Sequence, residues 1–147
     1  MYFDDFQVGT EMKSPAGRTV TEADIVIFAS MTGALNPLFV DEEYAKKNTS
    51  VGHRMAEGLL TLSIATGLTF QLPERPLSDG LVALMGMTFK ATKPVLAGDT
   101  LYIKVVVKEK MPPKDNRGRI ILHTDVTNQR QEYVMDIEGT FLIRMKP

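Results

Sequence analysis

Residues 58–72 read GLLTLSIATGLTFQL, and their apolar side chains run all the way round a helix. Leu59, Leu60, Leu62, Ile64, Ala65, Leu68 and Phe70 leave no broad polar face, so such a helix has to be wrapped by something else. The stretch is too short, and too rich in Ser and Thr, to cross a bilayer, which needs about 20 apolar residues. Pro73 and Pro76 end it.

On the C-terminal side the apolar period changes to two. In LYIKVVVKEK (101–110) the residues Leu101, Ile103, Val105 and Val107 alternate with Tyr102, Lys104, Val106 and Lys108. In YVMDIEGTFLIRM (133–145) the residues Tyr133, Met135, Ile137, Phe141, Ile143 and Met145 alternate with Asp136, Glu138, Thr140 and Arg144. This pattern predicts half-buried antiparallel strands. RIILHTDVT (119–127) is another, with His123 in its polar register. LVALMGMTFKAT (81–92) alternates less cleanly and reads as a strand buried on both faces, with Met85 to Met87 in the core. One buried helix followed by four long strands predicts an α+β fold, a sheet curled round the helix.

On the N-terminal side, TVTEADIVIFASMTG (19–33) offers Thr21 as N-cap, Asp24 as its capping-box partner and Gly33 as a stop. Asn36-Pro37 reads as a turn. Asp41 reads as the N-cap of a short charged helix, with Glu42/Lys46 and Glu43/Lys47 in favourable i, i+4 order.

With 147 residues the chain fits a single domain, residues 1–147, able to bury a core without metal or disulfide. A net charge of -1 gives no general attraction to nucleic acid or anionic lipid, and neither is expected as a partner. The chain has no cysteine, which excludes thiolate metal sites and cysteine nucleophiles, and its two histidines match no metal-ligand spacing. No metal or cofactor is expected. The start, MYFDDFQVGTEM, lacks the basic and apolar regions of a signal peptide, so a cytoplasmic location is expected.

FDDFQVGTE (3–11), TVTEADIVIFASMTG, NPLFVDEEYAKK (36–47), the helix from Gly58 and MTFKATKPVLAGDTLYIKVVV (87–107) follow in an order that resembles the MaoC-like dehydratase family, which includes the R-specific enoyl-CoA hydratases. The resemblance implies a hotdog fold, an acyl-CoA or acyl-carrier thioester as ligand, and a homodimer or a heterodimer with a paralogue. Active members carry a loop of the form [ST]-G-D-x-N-P-x-H-x-D, whose Asp and His hold the water that adds across an enoyl thioester. Here that loop reads TGALNPLFVD (32–41). Asn36, Pro37 and Asp41 match, whereas Ala34 and Phe39 stand at the Asp and His positions.

In the family the backbone N–H of the residue matching Gly58 points from a helix start toward the thioester carbonyl. Gly58 is therefore a candidate for polarising that carbonyl; its other reading is close backbone approach at a crowded helix start. Many members have His where this chain has Glu57. Glu57 is read either as a cap-like carboxylate or as a relocated general base tuned by His53 or Arg54. A carboxylate there also suits a hotdog thioesterase. Asn36, His53, Arg54, Ser63, Thr66 and Lys90 complete the candidate substrate-binding set: Ser63 and Thr66 as acyl-pocket hydroxyls, Lys90 with Lys93 for coenzyme A phosphates. Two functions follow, a hydratase or dehydratase with an altered site, or a thioester-binding subunit whose catalytic Asp and His come from a dyad-bearing partner chain.

Overall fold

The capping signals of the first third are used where the sequence puts them. A computed structural model describes residues 1–147. After a one-turn 3-10 helix (Phe3–Asp5) and two short strands, β1 (Glu11–Lys13) and β2 (Arg18–Thr19), helix α1 (Glu22–Thr32) starts at Thr21. The Thr21 side chain accepts from the Asp24 N–H, and the Asp24 carboxylate accepts from the Thr21 N–H at 2.8 Å. Gly33 ends α1 in the left-handed region, φ 76°, which side chains disfavour.

Asn36 does more than turn the chain. Its side chain accepts from the Leu38 N–H at 3.0 Å and caps a single turn, α2 (Pro37–Val40), with Pro37 in the first helical position. Asp41 caps α3 (Glu42–Asn48), accepting from the Tyr44 N–H at 2.9 Å. The i, i+4 pairs expected along α3 do not form. Lys46 pairs with Glu43, while Glu42 turns to His53 and Arg54, which the following loop brings beside it.

Then come α4 (Gly58–Phe70), β3 (Leu81–Ala91), β4 (Thr100–Lys110), β5 (Arg117–Thr127) and β6 (Tyr133–Arg144). The strands form one antiparallel sheet in the order β1-β4-β5-β6-β3, with β2 also paired to β4. The alternating residues behave as expected: Leu101, Ile103, Val105 and Val107 of β4 are all buried, as are Ile120, Leu122 and Val126 of β5. They share one core with Leu60, Ala65 and Leu68 of α4. Each buried Val, Leu or Ile side chain among them contributes about 1.5–3 kcal/mol by leaving water. A sheet curled round one helix is the hotdog arrangement.

Three expectations need correction. First, β3 is not buried on both faces: it is an edge strand paired only with β6, and Val82, Leu84, Met85 and Phe89 are exposed. Its irregular pattern reflects two register shifts, between Leu81/Ala83 and Leu84/Gly86, rather than double burial. Met85 is accordingly half exposed. Second, α4 is wrapped on one side only. Leu59, Ser63 and Phe70 form an open stripe, with Leu59 47% and Phe70 48% exposed. Third, Tyr133 is exposed and Val134 takes the inner place, because the β5/β6 register shifts at Val126/Thr127. No helix is long and apolar enough to cross a membrane.

Candidate functional site

Two backbone hydrogen bonds aim the start of α4. The Ala56 N–H donates to Val95 O at 2.8 Å and the Met55 N–H to Leu38 O at 3.3 Å, tying the approach segment to the β3–β4 connection and to α2. Glu57 is the N-cap residue, extended at φ -63° and ψ 144°, and its carbonyl accepts from the Leu60 and Thr61 N–H groups at 3.0 and 3.2 Å. The Gly58 and Leu59 N–H groups have no backbone acceptor, as at any helix start. The Glu57 side chain does not cap them.

Gly58 faces a cleft of about 410 Å³ whose walls include Leu38, Phe39, Met55, Thr61 and Lys93. A Cβ on Gly58 would meet only Cε2 of Phe89, at 3.7 Å, so crowding within the chain does not demand glycine here. The absent side chain leaves the free N–H open to a ligand. At the rim, Lys93 Nζ lies 2.7 Å from Glu132. Hydrogen bonds from Asn128 first, then Lys93 and Arg130, hold the Glu132 carboxyl down at about 2. A carbonyl oxygen set against an N–H at a helix N-terminus, beside largely apolar walls, is a setting that stabilises negative charge developing on that oxygen.

The family model of the MaoC like domain matches residues 5–130. The chain belongs to the MaoC-like dehydratase family. It is 31% identical over 147 residues to a 3-hydroxybutyryl-CoA dehydratase from Methylorubrum extorquens, an alignment covering 99% of this chain and 86% of that one. It is 32% identical over 114 residues to an (R)-specific enoyl-CoA hydratase from Rhodospirillum rubrum, covering 77% of this chain and 74% of the other. Among solved structures, a monoamine oxidase regulatory protein from Archaeoglobus superposes with a TM-score of 0.90 at 35% identity, over 100% of this chain and 96% of that one.

In this MaoC-like chain the sequence-predicted residues fall into separate groups. Phe39 and Gly58 line the same cleft, and the Phe39 ring also packs on the core. Ala34 is half-buried outside that cleft, its N–H 3.4 Å from the Thr32 hydroxyl. Asn36 is exposed and engaged in capping α2. Glu57 is half-buried, makes no ion pair, and does not line the cleft.

His53 and Arg54 are not turned toward Glu57. His53 Nδ1 lies 2.8 Å from Glu42, and Arg54 pairs with both Glu22 and Glu42, in a shallow pocket of their own beside Leu96 and Ala97. The Arg54 backbone N–H, and then His53, lower the Glu42 carboxyl below its usual range. Ser63 lies on the open stripe of α4. Thr66 lines a small cavity of about 10 Å³ between α4 and the sheet, shared with Thr69, Thr124 and Phe141, which has room for about one water. Lys90 projects from edge strand β3 opposite Asp136, away from the cleft, whereas Lys93 stands at its rim.

Sequence reasoning missed Thr61 as a cleft residue. Its position three residues after Gly58 was the available signal, because such residues share a helix face. It also missed a group on the outer face of the sheet, where donor atoms of His123, Asp125 and Asp136 all lie within 4.8 Å of one another. Such a group is able to hold a divalent cation. The spacing of the histidines could not reveal it, since Asp136 arrives from the neighbouring strand.

Proposed function

We propose that this chain is an acyl-thioester-binding protein of the hydratase/dehydratase type, which holds the thioester carbonyl on the Gly58 N–H in the cleft beside Phe39. The observation that carries this reading is the free N–H at a glycine which the chain's own packing does not require, opening onto a largely apolar cleft. The names of the Methylorubrum and Rhodospirillum relatives support an acyl-CoA as the ligand. An acyl-carrier thioester presents the same reacting group.

Phe39 offers no hydrogen bond to a water in that cleft, and Ala34 offers none from its side chain. The chain alone then hydrates an enoyl thioester slowly or not at all, and the water-activating Asp and His come from a partner chain. The open stripe of α4 and the apolar edge strand β3 suit a second hotdog chain, either a copy or a dyad-bearing paralogue. A second reading keeps the chemistry within this chain, with Glu57 as base. It is favoured by one observation, a half-buried carboxylate without an ionic partner, immediately before Gly58.

Titration with crotonyl-CoA, with hydration followed in the same samples, tests both. Saturable binding without turnover is expected. Turnover by the purified chain that Glu57→Gln abolishes would establish the second reading. Absence of binding would remove both, and hydration at an ordinary enzymatic rate unaffected by Glu57→Gln would contradict each of them.

A further inference from the structure

Four hydroxyl side chains lie on α4, and three of them are engaged with the helix itself. Ser63 donates to Leu59 O at 2.7 Å, Thr66 to Leu62 O at 2.9 Å, and Thr69 to Ala65 O at 3.0 Å. This bonding to the carbonyl four residues earlier is the usual habit of hydroxyls inside helices. Thr61 departs from it. The carbonyl it would use, Glu57 O, already takes the N–H groups of Leu60 and Thr61.

Thr61 is only 3% exposed and forms no side-chain hydrogen bond within the chain. Its oxygen is nevertheless not sealed off: the one fully enclosed side-chain polar atom of the chain without a hydrogen bond is Arg54 Nε. What Thr61 faces is the cleft lined by Gly58. The other polar side chains there are committed elsewhere, Thr92 donating to Tyr133 O at 2.8 Å and Lys93 to Glu132 at 2.7 Å. A nearly buried hydroxyl without a partner in the chain is left to pair with whatever enters the cleft, water or a ligand that displaces it.

Geometry indicates what arrives. Thr61 is three residues after Gly58, on the same helix face, and helical Cα–Cβ bonds tilt toward the N-terminus, so its side chain leans back over the Gly58 end. A carbonyl oxygen has two lone pairs and accepts two donors. We infer that the Thr61 hydroxyl is a second hydrogen-bond donor to the thioester carbonyl, acting beside the Gly58 N–H. This inference rests on the thioester reading above.

Isotope-edited infrared spectroscopy of crotonyl-CoA labelled with ¹³C at the thioester carbonyl tests it without requiring turnover. Bound to the unaltered chain, the carbonyl stretch is expected to fall below its frequency in free solution. Thr61→Val, close in shape but without the hydroxyl, should return part of that shift and weaken binding about 3- to 10-fold. Thr61→Ser should retain both, and Thr61→Ala should behave as Val, which separates hydroxyl loss from a packing defect. Folded Val and Ala variants with unchanged frequency and unchanged affinity would overturn the role of Thr61 alone. No binding, or no carbonyl shift, in the unaltered chain would overturn the Gly58 reading and this inference together.

Discussion

A Cβ built on Gly58 would lie 3.7 Å from Cε2 of Phe89, an ordinary van der Waals separation. Glycine at the head of α4 is therefore not required by the packing of this chain, and on the proposed thioester reading its value lies in what it leaves open. Gly58→Ala should fold normally, with a melting temperature within a few degrees of the parent, while acyl-CoA binding weakens about tenfold or more as the methyl blocks approach to the N–H. Thermal denaturation and calorimetric titration separate the two effects. A variant that fails to fold would return Gly58 to a structural role.

Ala34→Asp with Phe39→His should create or raise hydration of crotonyl-CoA, by about 10²-fold over the parent, since positioned acid or base groups contribute on that order. Phe39 packs partly on the core. The pair should therefore destabilise the fold by about 1–3 kcal/mol. Loss of the enoyl absorbance reports the activity. No gain in a folded, thioester-binding double variant would count against aligning this loop with the family's Asp and His.

Leu59 and Leu60 are neighbours with opposite fates, 47% and 6% exposed. Leu60→Ala should destabilise the chain by about 2–5 kcal/mol through loss of buried contact and a residual cavity. Leu59→Ala should change the stability of an isolated chain by less than about 1 kcal/mol. If a second chain covers the open stripe, the Leu59→Ala effect will grow with protein concentration in equilibrium denaturation. Equal effects of the two variants in a monomer would refute the one-sided packing.

Asp24 joins the Arg18 ion pair at 2.8 Å to the α1 capping box. The Arg18 guanidinium, helped by hydrogen bonds from Thr21, lowers its carboxyl from 3.8 to about 2. A carboxyl with a depressed folded-state pKa contributes stability that is present above its unfolded value and is lost as pH falls toward the folded one. Asp24→Asn should therefore lower stability by about 1 kcal/mol near neutral pH, with screening of the half-exposed Arg18 keeping the effect small. The difference from the parent should fade between about pH 4 and pH 2. Melting curves across that range decide it, and a difference undiminished at pH 2 would exclude the ionised carboxylate as its source.

The amino-acid sequence alone determined the fold class and its local punctuation. Leu101, Ile103, Val105 and Val107 mark one face of a strand by period two, and Thr21 and Asp41 cap helices through side chains that act on N–H groups three residues away. These are statements about which side of a segment meets water and about near neighbours, and both are written locally. Gly58 was legible through its place at the start of the apolar helix. Its exposure to a cleft was not, because the walls come from α2, the β3–β4 connection and β6.

Only the tertiary structure decided the contacts between distant residues. It sent Arg54 to Glu22, 32 residues away, rather than to Glu57, and brought Asp136 beside His123 through strand register. It placed β3 at the sheet edge, where the same apolar residues that would signal a core strand lie uncovered. It also distinguished Thr61 from Ser63, Thr66 and Thr69. Each of the four hydroxyls has a carbonyl four residues earlier, and the walls assembled by the rest of the chain decide that the one without an intrahelical bond faces a cleft.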